Sequence, residues 1–300
     1  MLNRRQLLAG LAGVAASAAG QTSARFRKSI CSVAFPPKMP LVEKITMAKA
    51  NGFEGIEIRM GDELAPDLTA DDLSRLADAA QKEGITIVSL WDSSPLSKAP
   101  LNSPDPALRT KGVEAVRQAV DVAHKLNCGA ILLYPGHVGY GPKLEVGYQD
   151  TWDRFSAELK KVVPDAAAAH VTLTMENVWN KFLLSPLEMR AFVDQFHSPW
   201  MASHFDMGYV MQFGYPQDWI QTLGSRIKRI HVKDYKLSAK AEQGHFVPLF
   251  EGDVDFKAVM QALVAVDYHG FLSPEYGYNS NEADSLKTLS QKLDRILAMA

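Results

Sequence analysis

Eight short apolar runs rich in β-branched residues recur along the chain, at positions 30–35, 55–58, 86–90, 130–134, 171–175, 201–205, 227–232 and 270–273. Stretches of helical period lie between them, at 41–51, 70–83, 106–126, 148–169, 186–196, 216–223 and 256–266, with a last one at 282–299. The runs are continuous instead of alternating polar with apolar, the pattern of parallel strands covered by helices. Helix punctuation agrees. Asn51-Gly52, Glu83-Gly84 and Asn127-Cys128-Gly129 offer left-handed stops, and Asp71, Asp72, Asp105, Asp150 and Asp255 stand near helix starts, where carboxylates complement free N–H groups. Eight βα units in one chain make an α/β fold and point to a single (β/α)8 TIM barrel over residues 29–300. The rival is an open doubly wound sheet, which would place a Gly-rich phosphate turn after its first strand. Here that place reads Ser32-Val33-Ala34-Phe35-Pro36-Pro37.

At 300 residues the chain is longer than the ~250 of a typical barrel, and the surplus sits at the N-terminus. Arg4 and Arg5 precede an uncharged stretch from Gln6 to Ala24, whose apolar part, 7–19, is shorter than the roughly 20 residues of a bilayer span. Thr22-Ser23-Ala24 or Ala16-Ser17-Ala18 would each serve as a small-residue cleavage site of the A-x-A kind. Residues 1–24 resemble a twin-arginine (Tat) export signal, with Gln6, Leu7 and Leu8 following the Arg pair. The resemblance implies a cleavable signal peptide, contact with the Tat machinery and a periplasmic location, with no stable membrane span. Cleavage after Ala24 would remove two arginines and no acid from a chain of formal net charge -2. Neither charge balance gives a footprint for nucleic acid. Cys31 and Cys128 both border apolar runs, so two buried thiols are expected before a disulfide.

In a TIM barrel, chemistry is built at the C-terminal ends of the strands. The fifth run closes on Glu176, the sixth on Asp206, the seventh near His231 and the eighth on Glu275. Singly, each would be read as a helix cap, a salt-bridge partner or a core histidine. Together they place three carboxylates and one imidazole on a common rim. Such carboxylates are costly to desolvate unless a cation pairs with them, and an O,O,O,N donor set suits a hard divalent ion.

These stretches resemble the xylose-isomerase-like TIM barrels, or sugar phosphate isomerases and epimerases, and within them the L-ribulose-5-phosphate 3-epimerases and D-tagatose 3-epimerases. The residues that carry the likeness are 52–58 (GFEGIEI), Met175-Glu176-Asn177, Phe205-Asp206-Met207-Gly208, His231-Val232-Lys233-Asp234, 252–256 (GDVDF) and Pro274-Glu275. The resemblance implies one divalent metal held by Glu176, Asp206, His231 and Glu275, with Mn2+ expected first and Mg2+, Co2+ or Zn2+ as alternatives. It also implies that Glu176 and Glu275 form the catalytic acid–base pair. One position departs: the tagatose epimerases carry a histidine three residues after the aspartate, where Tyr209 stands here.

The expected function is a divalent-metal-dependent sugar epimerase or isomerase that abstracts a proton beside a ketose carbonyl and passes through an enediolate. Glu57, Trp91, His137, Trp179, Lys233 and Lys236 are candidate contacts for a small sugar substrate. Loop packing is the rival role for the two aromatic residues, and a loop cap for His137. The other histidines, including His204, are expected to be structural. Export argues for an unphosphorylated sugar, because sugar phosphates are cytoplasmic metabolites. Alternatives are a lyase acting by β-elimination on 3-keto-glycosides, a non-catalytic sugar-binding barrel and an endonuclease IV-like phosphodiesterase. The last needs more histidines at the strand ends than this chain places there. A homo-oligomer is left open.

Overall fold

The apolar runs pair side by side until the sheet closes. In the computed structural model, residues 25–300 are described apart from 62, 65–67, 93–97, 140–145, 241–242, 279 and 281–283. The expected signal segment, 1–24, lies outside the described residues. Eight strands form the wall: β1 (Phe26–Cys31), β2 (Gly55–Met60), β3 (Thr86–Asp92), β4 (Ala130–Leu133), β5 (Thr172–Glu176), β6 (Met201–Asp206), β7 (Ile227–Val232) and β10 (Gly270–Pro274). Their order around the closed barrel is β1-β10-β7-β6-β5-β4-β3-β2, and every neighbouring pair is parallel.

The helices between them follow the expected punctuation: α1 (Leu41–Ala50), α2 (Ala70–Glu83), α3 (Pro106–Lys125), α4 (Tyr148–Lys160), α5 (Val163–Ala168), α6 (Pro186–Asp194), α7 (Pro216–Leu223), α8 (Phe256–Ala265) and α9 (Leu286–Leu297). Thr69 and Asp72 form a capping box on α2, and Asp105 and Asp255 cap α3 and α8. The single helix expected over 148–169 is two. Pro164 lies in the first turn of α5, where its missing N–H costs no helical hydrogen bond, whereas inside one continuous helix it would remove one.

The first strand begins four residues before the apolar run does. Phe26 is buried in the core, while Arg27 reaches Glu54 and Lys28 reaches Ser290, so charged side chains face outward from a parallel strand. Ser32–Ala34 then turns as a 3-10 helix. A two-stranded antiparallel ribbon, β8 (Asp234–Lys236) with β9 (His245–Val247), follows β7 and has no counterpart in the apolar pattern. Cys31 and Cys128 are both buried free thiols, as expected. Among the described residues no helix is long and apolar enough to cross a membrane.

Two of the strand pairings slip in register. β2 shifts against β3 between Ile56 and Glu57, and β6 shifts against β7 between Ser203 and His204. A bulge of this kind re-aims the side chains beside it. Strands β2 and β6 stand opposite one another in the ring, and both Glu57 and His204 are buried inside it, with His204 Nε2 3.6 Å from Glu57 Oε2.

Candidate active site

The strands that end in Glu176, Asp206, His231 and Glu275 are four consecutive neighbours, β5-β6-β7-β10. Asp206 pairs in register with His231, and each of these side chains is fixed by its strand before any loop begins. Their ligand atoms all lie within 4.8 Å of one another. His231 Nδ1 stands 2.8 Å from Glu176 Oε1, 3.1 Å from Glu275 Oε2 and 3.9 Å from Asp206 Oδ2. The amide of Asn177 clamps β6 at this level, donating to the Asp206 carbonyl at 2.7 Å and accepting from the Asp206 N–H at 2.9 Å. Asp206 Oδ1 takes the N–H groups of Gly208 and Tyr209, which leaves Oδ2 turned to the cluster.

Lys233 joins the group. Its ammonium lies 2.8 Å from Asp206 Oδ2 and 2.5 Å from Glu275 Oε2, and 4.2 Å over the Tyr209 ring. Buried carboxylates of this density need positive charge to balance them. Asp206 Oδ2 and Glu275 Oε2 are buried and, beyond their ion pairs with Lys233 and His231, have no hydrogen-bond partner among the described residues. Three carboxylates and one imidazole nitrogen with two such oxygens fit a hard divalent cation, which Glu176, Asp206, His231 and Glu275 would hold. With a doubly charged ion and Lys233 in place, the three anions are neutralised.

The two glutamates differ in proton affinity. Burial raises Glu176 to about 7, with the Glu275 charge adding to the rise and His231 opposing it. Burial would raise Glu275 too, but the Lys233 ammonium and His231 overcome it and hold the carboxyl down to about 2. A carboxyl raised on folding stabilises the fold below its unfolded pKa and loses that contribution as pH climbs through the folded value. The metal-free protein is therefore expected to lose stability on Glu176 between about pH 4.5 and about pH 7. Glu275 acts in the opposite sense, losing its contribution as pH falls from about 4.5 to about 2. Thermal melts of chelator-treated protein across this span test both. A melting temperature climbing steadily from pH 5 to pH 8 would contradict the first.

The remaining candidates divide. Trp91 stands at the end of β3, edge-on to Tyr134 at 6.2 Å between ring centroids, and its buried indole N–H has no hydrogen-bond partner among the described residues. Tyr134, which the sequence reading passed over, feels Glu176 and Glu275; burial first and then those charges push its pKa well up and keep its hydroxyl protonated. His137 is partly buried, and burial lowers its pKa, favouring the neutral ring. Trp179 donates to the Tyr209 carbonyl at 2.9 Å and stacks on Phe246 of the ribbon at 5.4 Å, so the β8–β9 insertion packs beside the quartet.

Three expectations change. Glu57 is no rim residue. It is fully buried inside the barrel, accepting from Ser89 and Ser273 and facing His204 and His231, because its strand runs two residues beyond the apolar run and slips at this point. Lys236 is exposed on the ribbon and pairs with Asp253 at 2.7 Å instead of joining the quartet. Lys233 is committed to Asp206 and Glu275. His204 is buried inside the barrel, its ring 4.2 Å from that of His231.

Known proteins are similar to this chain in sequence and fold. The SgbU protein of Haemophilus influenzae, named as a candidate L-ribulose-5-phosphate 3-epimerase, is 28% identical over 272 residues, covering 86% of this chain and 91% of its own. The L-ribulose-5-phosphate 3-epimerase UlaE of Escherichia coli O1:K1 is 29% identical over 235 residues, covering 76% of this chain and 79% of its own. A solved L-ribulose 3-epimerase superposes with a TM-score of 0.70 at 25% identity, covering 89% of this chain and 86% of its own. Residues 45–296 match the model of the xylose isomerase-like TIM barrels. The chain therefore belongs to the xylose isomerase-like TIM barrel family, and its relatives include sugar 3-epimerases, enzymes of the isomerase class.

Proposed function

We propose that this chain is a divalent-metal-dependent sugar 3-epimerase, moving a proton beside a ketose carbonyl through an enediolate. The observation that carries the reading is the pair of glutamates on β5 and β10, gathered with Asp206 around one imidazole, the ligand atoms of all four within 4.8 Å of one another. In the metal-free protein their proton affinities also part, Glu176 raised by burial and Glu275 lowered by Lys233 and His231 against burial, as an acid and a base at one pH require. Glu275, anionic at neutral pH, takes the C3 proton from one face, and Glu176 returns one to the other. A metal ion held by the quartet, Mn2+ foremost, would supply positive charge beside the carbonyl and hydroxyl oxygens of the sugar. Lys233 keeps Glu275 ionised, and the unpartnered Trp91 N–H offers the sugar a hydrogen bond.

The substrate in this reading is an unphosphorylated keto-sugar, met in the periplasm after Tat export of residues 1–24. In support, the two lysines that follow β7 are engaged: Lys233 with Asp206 and Glu275, and Lys236 with Asp253. Incubating the Mn2+-loaded protein in D₂O with free and 5-phosphorylated ketoses tests the whole. The expected result is deuterium at C3 of a free ketose together with its C3 epimer. Release of a leaving group without an epimer would replace epimerisation by β-elimination. Exchange confined to phosphorylated ketoses would overturn the substrate class.

A further inference from the structure

His231 offers two ring nitrogens, and only one belongs to the quartet. Nδ1 faces Glu176, Asp206 and Glu275, whereas Nε2 faces down into the barrel. A metal-binding Nδ1 needs its lone pair, so the ring proton must sit on Nε2, and a buried N–H without an acceptor is costly. The barrel floor supplies two acceptors: Cys31 Sγ, hydrogen-bonded at 3.6 Å but a weak acceptor, and the Glu57 carboxylate, whose Oε2 stands in ion-pair contact at 3.5 Å and carries the charge.

The floor is built around Glu57. Its Oε1 accepts from the Ser273 hydroxyl and its Oε2 from the Ser89 hydroxyl, and Ser273 is in turn 2.5 Å from the Ser29 hydroxyl. The registers match: Glu57 pairs with Cys31 on one side and Ser89 on the other, and Ser273 pairs with His231. His204 is the second imidazole near Glu57, but the Thr174 hydroxyl, which donates to the Ile131 carbonyl, is left as an acceptor 3.4 Å from His204 Nδ1. That puts the His204 proton on Nδ1 and leaves Nε2 bare, in keeping with its lack of a hydrogen-bond partner. His204 therefore does not compete for the Glu57 carboxylate.

We propose that Glu57 is the positioning residue of the metal centre: from the barrel floor its carboxylate accepts the Nε2–H of His231, fixing the tautomer and the ring so that the Nδ1 lone pair points into the quartet. Buried partners of this kind tune metal affinity without touching the metal. The assignment rests on the metal reading of the quartet.

Mn2+ titration of the purified chain, by calorimetry, tests it in the parent, Glu57→Gln and Ser273→Ala. Glu57→Gln is expected to weaken Mn2+ binding about 10- to 100-fold. Ser273→Ala, which removes one of the hydroxyls holding Glu57, is expected to weaken it less and in the same direction. In the Co2+-loaded parent, the exchangeable ring N–H of His231 is expected as a paramagnetically shifted, slowly exchanging proton signal, and Glu57→Gln should move it or speed its exchange. A structural role alone would change the melting temperature and leave both readouts in place. Unchanged affinity in Glu57→Gln, or in Ser273→Ala should the first variant fail to fold, overturns the assignment while leaving the quartet intact. A parent that binds no Mn2+ overturns the metal reading and this proposal together. Two equivalents bound, with the second lost in Cys31→Ser, would overturn it in favour of a second cation among Cys31, Glu57 and His231.

Discussion

Replacing either rim glutamate by glutamine is expected to lower kcat by about 10²- to 10⁴-fold, the span of a lost general acid or base. Glutamine keeps the shape and one oxygen donor, so the comparison belongs at saturating Mn2+, with kcat read apart from KM. The two variants should differ in kind. In Glu176→Gln, Glu275 is still ionised and can still remove a proton, so the substrate C–H should exchange with solvent while inversion fails. Glu275→Gln leaves Glu176, whose carboxyl is raised mainly by burial, and removing the Glu275 charge takes away the smaller part of that rise. Exchange should then move to the opposite epimer. A single-turnover experiment in D₂O with each epimer reads this directly. If either variant keeps parental kcat, the acid–base assignment is wrong.

Lys233→Met is expected to destabilise the metal-free protein by about 3–5 kcal/mol, the cost of leaving a buried ion pair with one partner. Methionine preserves most of the side-chain length beside Tyr209 and Phe246, so the loss reports charge and not a cavity. Asp206 and Glu275 would then face each other with His231 as their nearest cation. Added Mn2+ should restore part of the stability, because the ion supplies the missing charge. Denaturant titration with and without Mn2+ measures both effects. A variant as stable as the parent without metal would show that the carboxylates are neutralised in another way.

Why some of this was legible in the sequence, and some not, follows from how parallel strands are written. Glu176, Asp206 and Glu275 stand out because each is the first charged residue after an apolar run, and the strands do end there. The Glu57 misplacement has the same origin. Both faces of a parallel strand are covered, so its sequence does not alternate, and nothing in Ile56-Glu57-Ile58 shows that the strand continues to Met60 or slips at Glu57. The start of β1 was hidden by Arg27 and Lys28, whose partners, Glu54 and Ser290, are distant in sequence. Lys233 follows the seventh run by one residue, but its pairing with β6 and β10 is a fact of topology alone. The β8–β9 ribbon is three residues a side and mostly polar, too short to leave a period.

The two register slips, set on opposite walls, divide the barrel into a part that can vary and a part that cannot. Above them, Trp91 and His137 stand at a strand end and in the loop just beyond, where exchange of a side chain disturbs fewer neighbours than at Trp179, which the Tyr209 carbonyl and the Phe246 ring hold. Below them, Glu57, Ser89, Ser273 and Ser29 share hydrogen bonds across four strands, β2, β3, β10 and β1, and a change at one leaves another without its partner. A lineage of such enzymes, or an engineer, could therefore trade one sugar for another by rewriting the rim while inheriting the carboxylate–histidine quartet and its buried support whole.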